Sequence, residues 1–143
     1  MEFEIKRVIT NEYFNGNVPF NLNELEQFIA ERLHKLSFGE SVVKYFWGFE
    51  VYKFNGRFAQ FFSDNIESWK HSKKWLVTNS HFDWDKIKDL DNYDFIELMK
   101  SELIKSIERI NEMKRKPKNF NQKDFRDTIE NILNDYKIIK NGA

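Results

Sequence analysis

The stretch Ser41-Val42-Val43-Lys44-Tyr45-Phe46-Trp47-Gly48-Phe49-Glu50-Val51-Tyr52-Lys53-Phe54, followed by Asn55-Gly56 and then by Arg57-Phe58-Ala59-Gln60-Phe61-Phe62, decides the fold class. Two aromatic and β-branched runs flank an Asn-Gly pair. A type I′ turn needs positive φ at both central residues, which suits Asn and Gly, so the stretch predicts a β-hairpin. Its first run is apolar on both faces, with Val43, Tyr45, Trp47, Phe49 and Val51 opposite Val42, Phe46, Tyr52 and Phe54. Such a strand is expected to be central and covered on both sides.

Upstream, Glu2-Phe3-Glu4-Ile5-Lys6 alternates with period two and predicts a strand that reaches toward Ile9. Asn15 to Pro19 is a loop. Asn21 or Asn23 then caps a helix with Leu25, Phe28, Ile29, Leu33 and Leu36 on one face, closed by Gly39. Downstream, Asp64-Asn65 opens a turn or short helix through Trp69. Trp75 to Thr78 is a further strand ended by Asn79-Ser80, and residues 82–90 form a short helix. Asp91 to Asp94 caps a long helix bearing Phe95, Leu98, Met99, Leu103, Ile107 and Ile110, which must stop before Pro117. Asn121 caps another, with Phe125, Ile129, Ile132, Leu133 and Tyr136 inward. The expected architecture is α+β: one domain over residues 1–143, three or four antiparallel strands around the Asn-Gly hairpin, an early helix, and two C-terminal helices packed as an antiparallel pair on the sheet.

The chain has 143 residues, 15 Phe, 5 Tyr, 4 Trp and no Cys. The aromatics supply a core without any covalent staple, and the lack of Cys removes disulfides, thiolate nucleophiles and Cys-based zinc sites at once. No leader-like or membrane-spanning run is present, so a cytoplasmic protein is expected. Lys plus Arg and Asp plus Glu number 23 each. That balance lacks the overall positive field of a nucleic-acid binder.

Chemistry-bearing patterns are few. Ser80, His81 and Asp83 are near neighbours, and contiguous residues in an extended segment point apart, which disfavours a triad. His81 with Asp83 offers two metal ligands without a second pair, so no metal and no cofactor are expected. The register of the aromatic strand departs from the RNA-recognition signature, because Glu50 stands where an apolar residue is wanted. Two charged segments remain. Asp83, Asp85, Asp89, Asp91 and Asp94 crowd five carboxylates into one short segment, with Trp84 and Tyr93 among them. They read either as helix caps or as an acidic face that engages a basic protein partner. Lys114, Arg115, Lys116 and Lys118 form a basic inter-helix turn, the alternative site for a nucleic-acid-associated module.

Phe46-Trp47-Gly48-Phe49-Glu50-Val51-Tyr52 and Thr78-Asn79-Ser80-His81-Phe82-Asp83-Trp84-Asp85 contribute to a general resemblance, in an aromatic-rich, Cys-free, Asn- and Lys-rich chain, to the immunity proteins of bacterial polymorphic and contact-dependent inhibition toxins. The resemblance is one of style and carries over no site. It implies a non-enzymatic protein that blocks a toxin by binding it, with the acidic face as the leading surface and a small hydrolase centred on His81 and Asp83 as a third possibility.

Overall fold

The computed structural model describes residues 1–9, 20–39, 42–52 and 67–142, without the side chains of residues 7–9, 52, 141 and 142. Strand β1 (Glu2–Ile9) leads through helix α1 (Leu22–Leu33) to β2 (Lys44–Tyr52). Then come β3 (Ser68–Lys70), β4 (Trp75–Asp83), a one-turn helix α2 (Trp84–Ile87), the long helix α3 (Asn92–Glu108), a 3₁₀ turn (Arg109–Glu112), and α4 (Gln122–Gly142). The fold is α+β, as expected. The pairing differs from expectation: among the described residues the order is β1-β2-β4-β3, and β2 runs parallel to both β1 and β4, while β3 is antiparallel to β4.

Two physical features explain the parallel sheet. A helix between β1 and β2 returns the chain to the starting end, which is the crossover a parallel pair requires. The apolar character of β2 also suits a strand with neighbours on both edges, and Phe46 on the face opposite Tyr45 and Trp47 is buried as well. The Asn55-Gly56 turn and its second strand lie outside the described residues. Along Lys44–Tyr52, both edges of β2 are taken by β1 and β4.

Register assigns the faces. Phe3 and Ile5 align with Tyr45 and Trp47 of β2, which align in turn with Leu76 and Thr78 of β4; Phe49 and Val51 face Ser80 and Phe82. All are buried under the helices. Phe125 of α4 meets Tyr45 edge-on at 5.0 Å, and Phe49 stacks on Phe82 at 4.4 Å. The caps and the C-terminal stripe are where the sequence placed them, but three bounds differ. Helix α1 ends at Leu33, well before Gly39, and leaves Leu36 exposed. The expected 82–90 helix is the single turn Trp84–Ile87, because residues 82 and 83 continue β4, and Trp69 lies in strand β3 rather than in a turn or short helix. Asn21, Asp91 and Asn121 accept from the backbone N–H of Glu24, Asp94 and Asp124, and Phe125, Ile129, Ile132, Leu133 and Tyr136 are buried. Lys137 to Glu97, Lys100 to Asn134 and Arg126 to Glu108 lace α3 and α4 as an antiparallel pair.

Strand β4 does not end at Asn79-Ser80. Ser80 faces the core, where its Oγ accepts from Trp47 Nε1 at 2.8 Å, and Asn79 packs on the opposite face against Gly48. A Cβ on Gly48 would lie 2.0 Å from Asn79 Oδ1, so glycine there makes room for a polar side chain in mid-sheet. Behind the sheet, the hydroxyls of Tyr45, Thr78 and Ser106 are in series, tying β2, β4 and α3. Donation from Tyr45 to Thr78, Thr78 to Ser106, and Ser106 to the Leu103 carbonyl uses each hydrogen once. Burial pushes the Tyr45 phenol above its ordinary range, so it stays protonated.

The outer edge of β1 is blunted. The Ile5 amide, which points away from β2, donates to Glu26 Oε2 of α1 at 2.7 Å. A side chain thus occupies a position where another strand would pair.

Candidate functional site

One end of the molecule carries a carboxylate-rich segment and the other a lysine-rich loop. Strand β4 starts beside Lys70 to Lys74 and finishes at Asp83; α3 starts at Asp91 and finishes near Lys114 to Lys118. Its 17 residues span about 25 Å. The helix macrodipole favours this sorting, with carboxylates at the N-terminus and cations beyond the C-terminus of α3.

At the acidic end, the structure brings together the five carboxylates predicted from sequence and gives two of them a structural duty. Asp83 caps α2 by accepting from the Asp85 N–H at 3.1 Å, and Asp91 caps α3 by accepting from the Asp94 N–H at 2.8 Å. Asp85 lies 3.8 Å from Lys88. Asp85, Asp89, Asp91 and Asp94 are exposed and Asp83 is half-buried. The aromatics divide: Trp84 is half-buried against the core, whereas Tyr93 is exposed under the ammonium of Lys137, 4.5 Å from its ring centroid. Lys137 also bonds Glu97 at 2.6 Å, and this hydrogen bond holds the Glu97 carboxyl below its usual range. Those contacts set the last turns of α4 level with the first turn of α3. Ile138 and Ile139, 67% and 51% exposed, therefore lie at the acidic end. Sequence reading missed them; their signal was that both fall off the buried stripe ending at Tyr136.

At the opposite end, Lys114, Arg115, Lys116 and Lys118 line a groove of about 850 Å³ with Trp69, His71 and Lys74. The second wall was not foreseen, because it comes from the β3–β4 turn some 40 residues earlier. Lys74 has φ 56° and Asn119 φ 54°, so both walls turn tightly.

Ser80, His81 and Asp83 do not converge. Strand alternation sends Ser80 into the core and His81 and Asp83 to the other face, where Asp83 is engaged as a cap. His81 Nε2 lies 3.6 Å from Glu50 Oε2, and Glu50 is buried. Burial holds the imidazole below its ordinary value of 6.5, opposed by the Glu50 charge. Unfolded His81 binds a proton near 6.5, while folded His81 resists it. Its contribution to stability is therefore complete above pH 6.5 and is lost as the pH falls through the lower folded value. In urea titrations between about pH 7 and pH 5, His81→Gln is expected to flatten the fall of the midpoint; an unchanged slope would assign that fall to other groups.

Among the described residues no group of three or more His, Asp or Glu is placed to hold a metal ion, and no helix is long and apolar enough to cross a membrane. The family model for immunity protein 44 matches residues 1–135. The chain belongs to this immunity protein family. The match takes in every element from β1 to α4 up to its final turns, so Asp83 to Asp94 and Lys114 to Lys118 lie within it, while Lys137, Ile138 and Ile139 lie beyond it. No curated protein and no solved structure matches the chain.

Proposed function

We propose that this member of the immunity protein 44 family is a non-enzymatic, cytoplasmic protein that binds a cognate bacterial toxin and neutralises it through the acidic end. Family membership carries the reading. The choice of surface rests on Asp83, Asp85, Asp89, Asp91 and Asp94 along the starts of α2 and α3 with exposed Tyr93 among them, on exposed Ile138 and Ile139 in the last turns of α4 at the same end, and on Trp84 as a half-buried support. Apolar and aromatic anchors within a charged rim are what a tight protein contact uses: the anchors supply affinity, and the carboxylates speed encounter with a basic surface.

Tagged protein co-expressed with the product of the adjacent upstream gene is expected to form a stoichiometric complex and to restore growth. No complex and no rescue defeats the reading. To test the surface, Asp85 and Asp89 are changed to Lys while Asp91→Asn removes charge and keeps the cap. Affinity is expected to fall roughly hundred-fold with the thermal midpoint nearly unchanged. Equal affinity would place the toxin contact elsewhere.

A further inference from the structure

We propose that the groove between the β3–β4 turn and the α3–α4 loop binds single-stranded nucleic acid. This goes beyond toxin binding and uses the other end of the molecule.

The observations are geometric. Five cations, Lys74, Lys114, Arg115, Lys116 and Lys118, converge on one concavity from two distant segments, and among the described residues no carboxylate lines it. Its volume falls in the range of sites that hold whole ligands rather than single ions, about 300–1,000 Å³. Half-buried Trp69 forms part of the wall. It also lines the adjoining groove, together with Lys114, Arg115, Arg109, Glu67 and Glu112, so the two depressions meet at the indole, and there Glu67 is paired with Arg109 at 2.7 Å. A cationic track that meets an aromatic side chain is how sequence-tolerant single-strand binders work: phosphates follow the cations and unstacked bases lie on the ring. A duplex keeps its bases stacked away from such a ring. An acidic peptide would use the cations and leave the ring unexploited.

Zero net charge does not oppose this. The acidic end is about 25 Å away along α3, roughly three Debye lengths at physiological salt, so the groove presents its own field. The loop is also anchored. Asn121 N–H donates to the Phe38 carbonyl, and Gly39 packs against the Asn119 backbone, which holds the basic wall against the core before any ligand arrives.

The test uses fluorescein-labelled U12 RNA in an anisotropy titration of the full chain from 50 to 200 mM salt. Binding is expected at low salt, with a log–log salt slope of roughly −3.5 for five phosphate contacts on a single strand. Lys114→Glu with Lys118→Glu, both exposed positions, is expected to abolish it. Trp69→Leu should weaken it roughly ten-fold and Trp69→Phe should recover most of that loss. If Trp69→Leu does not fold, the lysine pair carries the test. Failure to bind at 50 mM salt, unchanged affinity in the lysine variant, equal affinity for a duplex, or equal displacement by poly-glutamate of matched charge would each overturn the proposal; the last would assign the groove to an acidic protein segment. No toxin enters the assay, so its outcome is independent of the immunity reading.

Discussion

Trp47→Ala is expected to destabilise the protein by about 4 kcal/mol, the typical cost of removing a buried indole. Trp47 is fully buried at the centre of β2, between Ile5 on β1 and Thr78 on β4, with its ring against Phe49 at 5.5 Å. Alanine leaves a cavity that three strands hold open, since none can collapse without breaking register with the next. The substitution also deprives Ser80 of its donor, although Ser80 still reaches the Glu102 carbonyl at 3.3 Å. Trp47→Phe separates the two effects: it keeps most of the packing and loses the hydrogen bond, for about 1–2 kcal/mol. Urea denaturation of both variants measures the difference. Equal losses would mean that the Nε1–Ser80 bond, rather than the packing, holds this region together.

Gly39→Ala is expected to cost about 3 kcal/mol, an unusual penalty for one added methyl. Gly39 has φ 117°, a conformation that side chains rarely adopt, and a Cβ there would sit 1.7 Å from the Asn119 carbonyl oxygen. The obstacle is backbone, so no rotamer change relieves it. Relief requires the α3–α4 loop to move away from the core, and the same displacement would carry Lys114 to Lys118 from the opposite wall of the groove. The variant should accordingly lose U12 binding together with stability, and a thermal midpoint within a few degrees of the parent would show that the loop yields freely.

Local features of this fold were legible in the sequence and the pairing of its strands was not. The caps Asn21, Asp91 and Asn121, and the stripe from Phe125 to Tyr136, are written within a few residues of where they act. Strand partnership is a non-local choice. Asn55-Gly56 pointed to an antiparallel neighbour, while the helix between β1 and β2 already required a crossover, and a crossover suits parallel strands. The site divides in the same way. Asp83 to Asp94 is contiguous in sequence and could be seen at once. The basic groove is assembled from Lys74 and Lys114 to Lys118, so only its C-terminal wall was visible, and Ile138 and Ile139 acquired a location only when Lys137 met Glu97.

The parallel sheet also sets an order of events during synthesis. Residues of β1 pair with residues 42 positions later in β2, and those of β2 with residues 31 positions later in β4. Strand β1 thus waits for β2, and β2 waits for β4. Even then the part of the aromatic face around Tyr45 stays uncovered until α4 has been made past Phe125. At about 5–20 residues per second this interval lasts several seconds. A nascent chain carrying Phe3, Tyr45, Trp47 and Phe49 on an open face is a natural client for chaperones, and the dose of finished protein in a cell will depend on how well that interval is guarded.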